Sequence, residues 1–272
     1  MILSFCEKPF ALARLLLPIA IMLCAQNGAR AWLYLSQHID GKWIIGAVSL
    51  FIFCGIVFWA YKLGLTFHRF FSVQMILVVG GLALLFWLPD ERFIVKKIHV
   101  PEYIAIALAS CWALRPCLSS AFGLLSASLA FAIFLGLHDE VIQGFHPERY
   151  FGYLDIIVNG GSAFIGVWLG RYLFEGRVPD KTDQEVRILF GAFLCSLIFI
   201  ILFIYLCWSY KGELLPVWVA LPALFACCPY FFLCPRKKVS ADAFFVRNTL
   251  IAMTSLLSVY ILIGYFISLK FD

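Results

Sequence analysis

Ionisable and amide side chains are concentrated in one short stretch, HDEVIQGFHPERYFGYLD, between two apolar segments of the chain. The stretch contains groups used in acid–base and phosphate chemistry: Asp139, Glu140, Gln143, Arg149 and Asp155. A carboxylate can act as a general base, and a planar guanidinium can hold a phosphate through two parallel hydrogen bonds. So much polarity at one place predicts a site rather than an ordinary loop.

Helical spacing predicts how these groups are positioned. Asp139 and Gln143 are four residues apart, and so are Asp155 and Asn159. Upstream, His99 and Glu102 are three residues apart. Residues three or four apart lie on one face of a helix. We therefore expect three helix ends to present these polar pairs.

Composition indicates that the helices lie in a membrane. Of the 272 residues, 63% are hydrophobic and 14% are charged, whereas soluble domains carry about 25% charged residues. The net charge of +5 does not indicate nucleic acid, because the basic residues are scattered over short connections and form no stripe. The ten cysteines show no CxxC pair and are interpreted mainly as small buried apolar residues.

The apolar runs predict an all-α, polytopic transmembrane helical bundle of about nine spans, within a range of seven to nine. Pro216 and Pro222 fall within the eighth span, where a proline can kink a helix. The predicted spans are 12–35, 43–61, 70–88, 98–115, 117–138, 153–174, 188–209, 214–234 and 244–269.

The short loops also predict an orientation. With nine spans, 13 of the 21 lysines and arginines fall on the side of the N-terminus and 8 on the other side. Positive residues are enriched in cytoplasmic loops, so the N-terminus is expected in the cytoplasm. Both polar clusters then meet at the extracytoplasmic rim of what we expect to be a bacterial plasma (inner) membrane.

An ionisable group at mid-membrane costs roughly 2.5–3.5 kcal/mol, and less near the interface. We therefore expect the buried members to be paired or to line a wet cavity. A structural hydrogen-bond network is the alternative interpretation of the set. Asp90, Glu91, Lys96 and Lys97 are interpreted as solvated loop charges, and Gly166 and Gly170 as a GxxxG pair that packs helices closely.

These motifs together resemble the VanZ-like family of integral membrane proteins. The resemblance is carried by DEVIQ, then PER, then Asp155 four residues before Asn159 and small residues, with His99 and Glu102-Tyr103 upstream. Glu148 stands where the family usually has glycine, Ser162 replaces a common glycine, and Ile142 stands where some members have histidine. None of these differences from the family pattern removes a carboxylate or Arg149.

The resemblance implies a four-helix VanZ-like core at 70–174. Two further spans would lie in 1–69 and three in 175–272. The family's polar residues fall on the following positions: His99, Glu102, Asp139, Glu140, Gln143, Arg149, Asp155 and Asn159.

The resemblance also implies a role in cell-envelope metabolism, with a link to glycopeptide resistance. The expected function is transfer or hydrolysis of head groups of phospholipid or polyprenyl-phosphate-linked substrates, with membrane lipids or a lipid-linked precursor as partners. His99, Asp139, Glu140 and Arg149 are the expected catalytic residues, and Glu102, Gln143, Asp155 and Asn159 the substrate-binding or orienting ones. The alternative is non-enzymatic binding or transport of a lipid-linked or glycopeptide ligand. No cofactor is evident, but Asp139, Glu140 and Asp155 offer oxygen ligands to a divalent cation.

Overall fold

The structure of the chain is a computed structural model. It describes residues 13–24, 79–83, 99–118, 121–146, 149–174, 184–234 and 241–271, together with isolated positions between 40 and 58. The described residues are mostly helical.

Eight helices have described bounds: α1 (Ala13–Cys24), α2 (His99–Leu114), α3 (Ala121–Gly144), α4 (Tyr153–Phe174), α5 (Gln184–Ser209), α6 (Ala220–Phe225), α7 (Cys228–Leu233) and α8 (Ala241–Phe266). Short 3₁₀ turns cover Arg115–Cys117 and Val217–Val219. Two short strands, β1 (Glu213–Leu214) and β2 (Lys270–Phe271), pair antiparallel with Glu213 opposite Phe271.

Four helical segments in the described part are long and apolar enough to cross a membrane: Ala121–Gly144, Tyr153–Arg171, Arg187–Ser209 and Phe244–Phe266. Three shorter apolar segments accompany them: Ala13–Cys24, His99–Leu114 and Val217–Leu233. Large apolar side chains face outward, such as Ile198, which is 68% exposed. These features indicate a membrane protein. Nine spans remain a prediction, because 43–61 and 70–88 fall mostly outside the described residues.

Two predicted spans differ from the observed helices. The fifth was expected to end at residue 138, but α3 continues to Gly144. Residues 138–143 include no glycine or proline, so the polar residues continue the helix. The eighth is broken into α6 and α7 rather than kinked at Pro222. Pro229 near the start of α7 has no N–H to donate to a carbonyl one turn earlier, and its ring would clash there.

The polar end of the bundle is formed by the start of α2, the end of α3 and the start of α4. Two contacts place α5 and α8 there as well. The Trp208 ring near the end of α5 lies 4.7 Å from the Tyr153 ring, and Gly264 near the end of α8 approaches the Phe145 ring. The consecutive long helices α3, α4 and α5 therefore alternate in direction, and α8 runs in the same direction as α5, with α6 and α7 between them in the chain.

Helices α2 and α4 approach each other closely through glycines. A Cβ added to Gly166 would lie 2.6 Å from the Ile104 carbonyl oxygen, and one added to Gly170 would lie 2.8 Å from Cys111 Sγ. Neither position leaves room for a side chain. The packing role predicted for the GxxxG pair is confirmed, and the close approach fixes the two polar helix starts relative to each other.

The apolar core runs without interruption from α1 to the C-terminal strand. At the polar end it includes Phe271, whose ring lies 5.1 Å from those of both Phe145 and Phe151. Strand β2 thus packs against the connection between α3 and α4. The division into residues 1–69, 70–174 and 175–272 stays a prediction, because the described helices share one core.

Candidate functional site

Seven of the eight predicted site residues are buried at the polar end. His99 and Glu102 lie in the first turn of α2. The remaining five lie near the end of α3 or the start of α4: Asp139, Glu140, Gln143, Asp155 and Asn159. Asn159 is six residues into α4, about 9 Å along the axis at 1.5 Å per residue. The cluster is therefore shallow compared with a hydrocarbon core about 30 Å thick.

The first part of the cluster joins α2 to α3. The Tyr103 hydroxyl donates a hydrogen bond to Asp139 Oδ2 at 3.1 Å. His99 Nδ1 lies 3.4 Å from Glu102 Oε2 and 3.9 Å from Asp139 Oδ2. The imidazole thus lies beside two carboxylates from different helices, an arrangement that can orient a proton-accepting histidine.

The second part joins α3 to α4 through Glu140. Its Oε2 accepts a hydrogen bond from the backbone N–H of Gly152 at 3.1 Å, and its Oε1 accepts one from Asn159 Nδ2 at 3.5 Å. Asp139 and Glu140 are consecutive residues, and consecutive helical positions point about 100° apart. One carboxylate therefore faces α2 and the other faces α4.

Several buried polar atoms of the cluster make no hydrogen bond within the part of the chain that the structure describes: His99 Nδ1, Glu102 Oε1, Gln143 Nε2 and Asn159 Oδ1. A buried donor or acceptor without a partner costs about 1–3 kcal/mol, so native proteins contain few of them. Four such atoms on three adjoining helix ends are available to hydrogen-bond or coordinate a bound group.

Carboxylates predominate among the buried side chains of the polar end. Four buried carboxylates lie there: Glu102, Asp139, Glu140 and Asp155. The C-terminal end of a helix carries a partial negative charge, and α3 has no basic residue in its last turn to offset it. The start of α4 carries a partial positive charge, which stabilises the carboxylate of Asp155 in its first turn. The arrangement favours cationic groups at this end.

Arg149 is the eighth predicted residue. It is half-buried in the connection between α3 and α4, where its backbone N–H donates to the His146 carbonyl at 3.1 Å. Its charge is near enough to attract the Glu102 carboxylate. Arg149 thus belongs to the connection beside the cluster and is less buried than the other seven residues.

Aromatic side chains surround the polar end. Tyr150 is 68% exposed, and Tyr153 and Trp208 are exposed as well. Lys211 Nζ lies 5.2 Å from the centre of the Tyr150 ring and 5.4 Å from that of the Trp208 ring. Tyrosine and tryptophan collect at the depth of lipid head groups. This rim indicates that the cluster opens at head-group level.

Tyr103 and Gly152 belong to the site but were not among the predicted residues. The signal for Tyr103 was its position four residues after His99, on the same helix face. Gly152 contributes a backbone N–H, and its missing side chain makes room for the Asp155 carboxylate, which a Cβ would overlap. Gly152 could not be predicted from side-chain types, because it contributes only backbone atoms.

The structure also changes the predicted metal ligands. The set considered from the sequence was Asp139, Glu140 and Asp155. Among the described residues, the ligand atoms that lie within 4.8 Å of one another instead belong to His99, Glu102 and Asp139. Glu140 is directed towards Gly152 and Asn159.

Comparison with known proteins gives no match: no family model, curated protein or solved structure is significantly similar to this chain. The VanZ-like resemblance therefore stays a proposal, and the function is argued from the site.

Proposed function

We propose that this membrane protein transfers or hydrolyses the head group of a phospholipid or a polyprenyl-phosphate-linked substrate at the polar end, as the VanZ-like resemblance implies. The observation that carries the proposal is the collection of seven buried polar side chains on three shallow helix ends. A lipid can place its phosphate in such a site while its acyl or prenyl chains stay in the bilayer.

The proposed chemistry assigns His99 as the general base. Its Nδ1 lies 3.4 Å from Glu102 and makes no hydrogen bond with described residues, whereas Glu140 already accepts two. His99 takes the proton of a hydroxyl or water as that oxygen bonds to phosphorus and the bond to the leaving group breaks. Arg149 stabilises the phosphate oxygens. Gln143, Asp155 and Asn159 orient the head group.

Binding without chemistry is the second candidate, and one observation favours it. Asp139 accepts from Tyr103 and Glu140 accepts from Gly152, so two of the carboxylates are already held as acceptors. The same cluster could therefore recognise a lipid-linked or glycopeptide ligand. Transport is less favoured, because the other buried charge of the described helices, Arg247, lies near the start of α8 and away from the cluster.

Lipid profiling by mass spectrometry tests the proposal. Cells that express the wild type are compared with cells that express an Asp139→Asn, Arg149→Ala double variant at matched membrane levels. A phospholipid or polyprenyl-phosphate species should change only with the wild type. Glu213→Gln, an exposed carboxylate in β1, is the control and should behave as the wild type. Identical lipid profiles for all three would remove the support for head-group chemistry and favour the binding role.

A further inference from the structure

We propose that His99, Glu102 and Asp139 form a binding site for one divalent transition-metal ion, Zn²⁺ or Mn²⁺. Ion binding itself does not depend on the proposed function, whereas the ion's part in head-group chemistry rests on it.

The distances between the ligand atoms fit such an ion. His99 Nδ1 lies 3.4 Å from Glu102 Oε2 and 3.9 Å from Asp139 Oδ2. In a tetrahedral zinc site with bonds of about 2.0–2.1 Å, neighbouring ligand atoms are about 3.3 Å apart. The two distances from His99 are close to this value, and the ligand atoms of the three residues all lie within 4.8 Å of one another.

The donor set is that of a site with open positions. One imidazole and two carboxylates supply three protein ligands, which is the number found in catalytic zinc sites that keep a position for water or substrate. The imidazole favours Zn²⁺ over Mg²⁺ or Ca²⁺, which prefer oxygen ligands alone, and the two carboxylates also suit Mn²⁺. With the ion bound, His99 Nδ1 would be a ligand and not the base, and the ion would polarise a phosphate oxygen or activate a bound water in its place.

Unpaired atoms supply an independent reason to expect an ion. The Glu102 side chain is 6% exposed, yet its Oε1 has no hydrogen-bond partner within the described ranges, and neither has Nδ1 of His99, whose side chain is 11% exposed. Both atoms have lone pairs available when the histidine is neutral. A cation beside them satisfies both atoms at once and offsets part of the charge of the surrounding carboxylates.

The surroundings of the triad also resemble those of a metal site. The buried Tyr103 hydroxyl donates to Asp139 Oδ2, the same oxygen that lies near His99. Hydrogen bonds to ligating carboxylates orient the ligands, and their removal typically lowers metal affinity by about 10–100-fold. Tyr103 is thus expected to be a positioning residue for the ion.

The test measures metal binding by the purified full-length protein in lipid nanodiscs. The protein is stripped with chelator, titrated with Zn²⁺ and Mn²⁺ by calorimetry, and assayed for bound metal after washing. One ion per chain is expected. Glu102→Gln should lower the affinity by more than the about 10-fold loss expected for Tyr103→Phe, and Glu213→Gln, the same change at an exposed residue of the polar end, should leave it unchanged.

Two results would overturn the proposal: no stoichiometric binding by the wild type, or equal affinities for Glu102→Gln and Glu213→Gln. Co²⁺ loading gives a second measurement, because its visible spectrum reports nitrogen and oxygen ligands and should change in His99→Gln. Folding of each variant is checked by thermal unfolding without metal. Lipid profiling distinguishes failure of the two proposals. If the protein binds metal but lipids do not change, only the head-group proposal is refuted. If lipids change but the protein binds no metal, only the metal-site proposal is refuted.

Discussion

Buried polar side chains occur in two regions of the molecule and are accommodated differently. In the region from α5 to α8, Ser196 Oγ donates to the Ala226 carbonyl at 2.7 Å and Ser258 Oγ to the Ala220 carbonyl at 3.1 Å. Arg247 Nη1 likewise donates to the Cys234 carbonyl at 2.8 Å. At the polar end, by contrast, four carboxylates are buried together beside His99.

The difference concerns which groups are left without partners. In the described residues from α5 onwards, 184–234 and 241–271, these are two groups, Tyr230 Oη and Arg247 Nε, and no carboxylate is buried there. At the polar end the unpaired atoms include a carboxylate oxygen and an imidazole nitrogen that lie in one cluster. Serines that bond across helices stabilise packing, whereas groups that lower stability without compensation are expected at functional sites.

The largest effect is expected when the aromatic packing around the polar end is removed. Phe271→Ala deletes a fully buried ring that contacts the Phe145 and Phe151 rings. Replacing a buried phenylalanine by alanine costs about 3–5 kcal/mol. The unfolding free energy in detergent should fall by that order, and amide hydrogen exchange should increase in residues 149–152.

The control for this change is Phe266→Ala, since Phe266 is 76% exposed near the end of α8. It should leave both measurements near the wild-type values. Equal losses for the two variants would show that the Phe271 ring does not hold the connection between α3 and α4.

A smaller effect is expected at the α2–α4 contact that fixes the two helix starts. Gly166→Ala places a Cβ 2.6 Å from the Ile104 carbonyl oxygen, so the helices must separate. Overpacking of this kind costs about 1–3 kcal/mol. Gly160→Ala is the matched control, because its Cβ meets no atom within 4 Å and alanine favours a helix. A stability loss in Gly160→Ala as large as that in Gly166→Ala would contradict the close-packing account.

The smallest effect is expected in the region from α5 to α8, where Ser196 and Ser258 hydrogen-bond to backbone carbonyls. Ser196→Ala removes a hydrogen bond between helices, and such bonds in membranes contribute about 0.6 kcal/mol on average. Ser209→Ala, at an exposed serine that bonds only within its own helix, should cost less. Both are measured by unfolding in detergent. A loss of several kcal/mol in Ser196→Ala would mean that hydrogen bonds between helices in the region from α5 to α8 are as important to stability as the packing of the Phe271 ring.

Residue spacing and composition predicted which residues form the polar cluster, but not which neighbour each side chain contacts. The i,i+3 and i,i+4 pairs, together with the alternation of spans, predicted that the two polar clusters would meet at one end, and His99 of the first lies 3.9 Å from Asp139 of the second. Which neighbour each of the consecutive residues Asp139 and Glu140 would face depends on helix rotation, which sequence patterns do not fix. The same holds for the end of α3 at Gly144 and for the packing of Phe271, since both depend on tertiary contacts.

The central claim is that the polar end is kept for function rather than for stability. Burying a charge without compensation lowers stability. In that case, neutralising one of the four buried carboxylates should not destabilise the fold. Asn at position 139 keeps an oxygen that can accept from the Tyr103 hydroxyl. Asp139→Asn therefore separates the two roles in a single variant.

The most direct test measures unfolding free energy and lipid composition together for Asp139→Asn and the wild type at matched membrane levels. The account predicts an unfolding free energy equal to or above that of the wild type, with loss of the lipid species that changes in wild-type cells. An unfolding free energy lower by about 2 kcal/mol or more, with the lipid change retained, would contradict it and make the cluster a structural hydrogen-bond network.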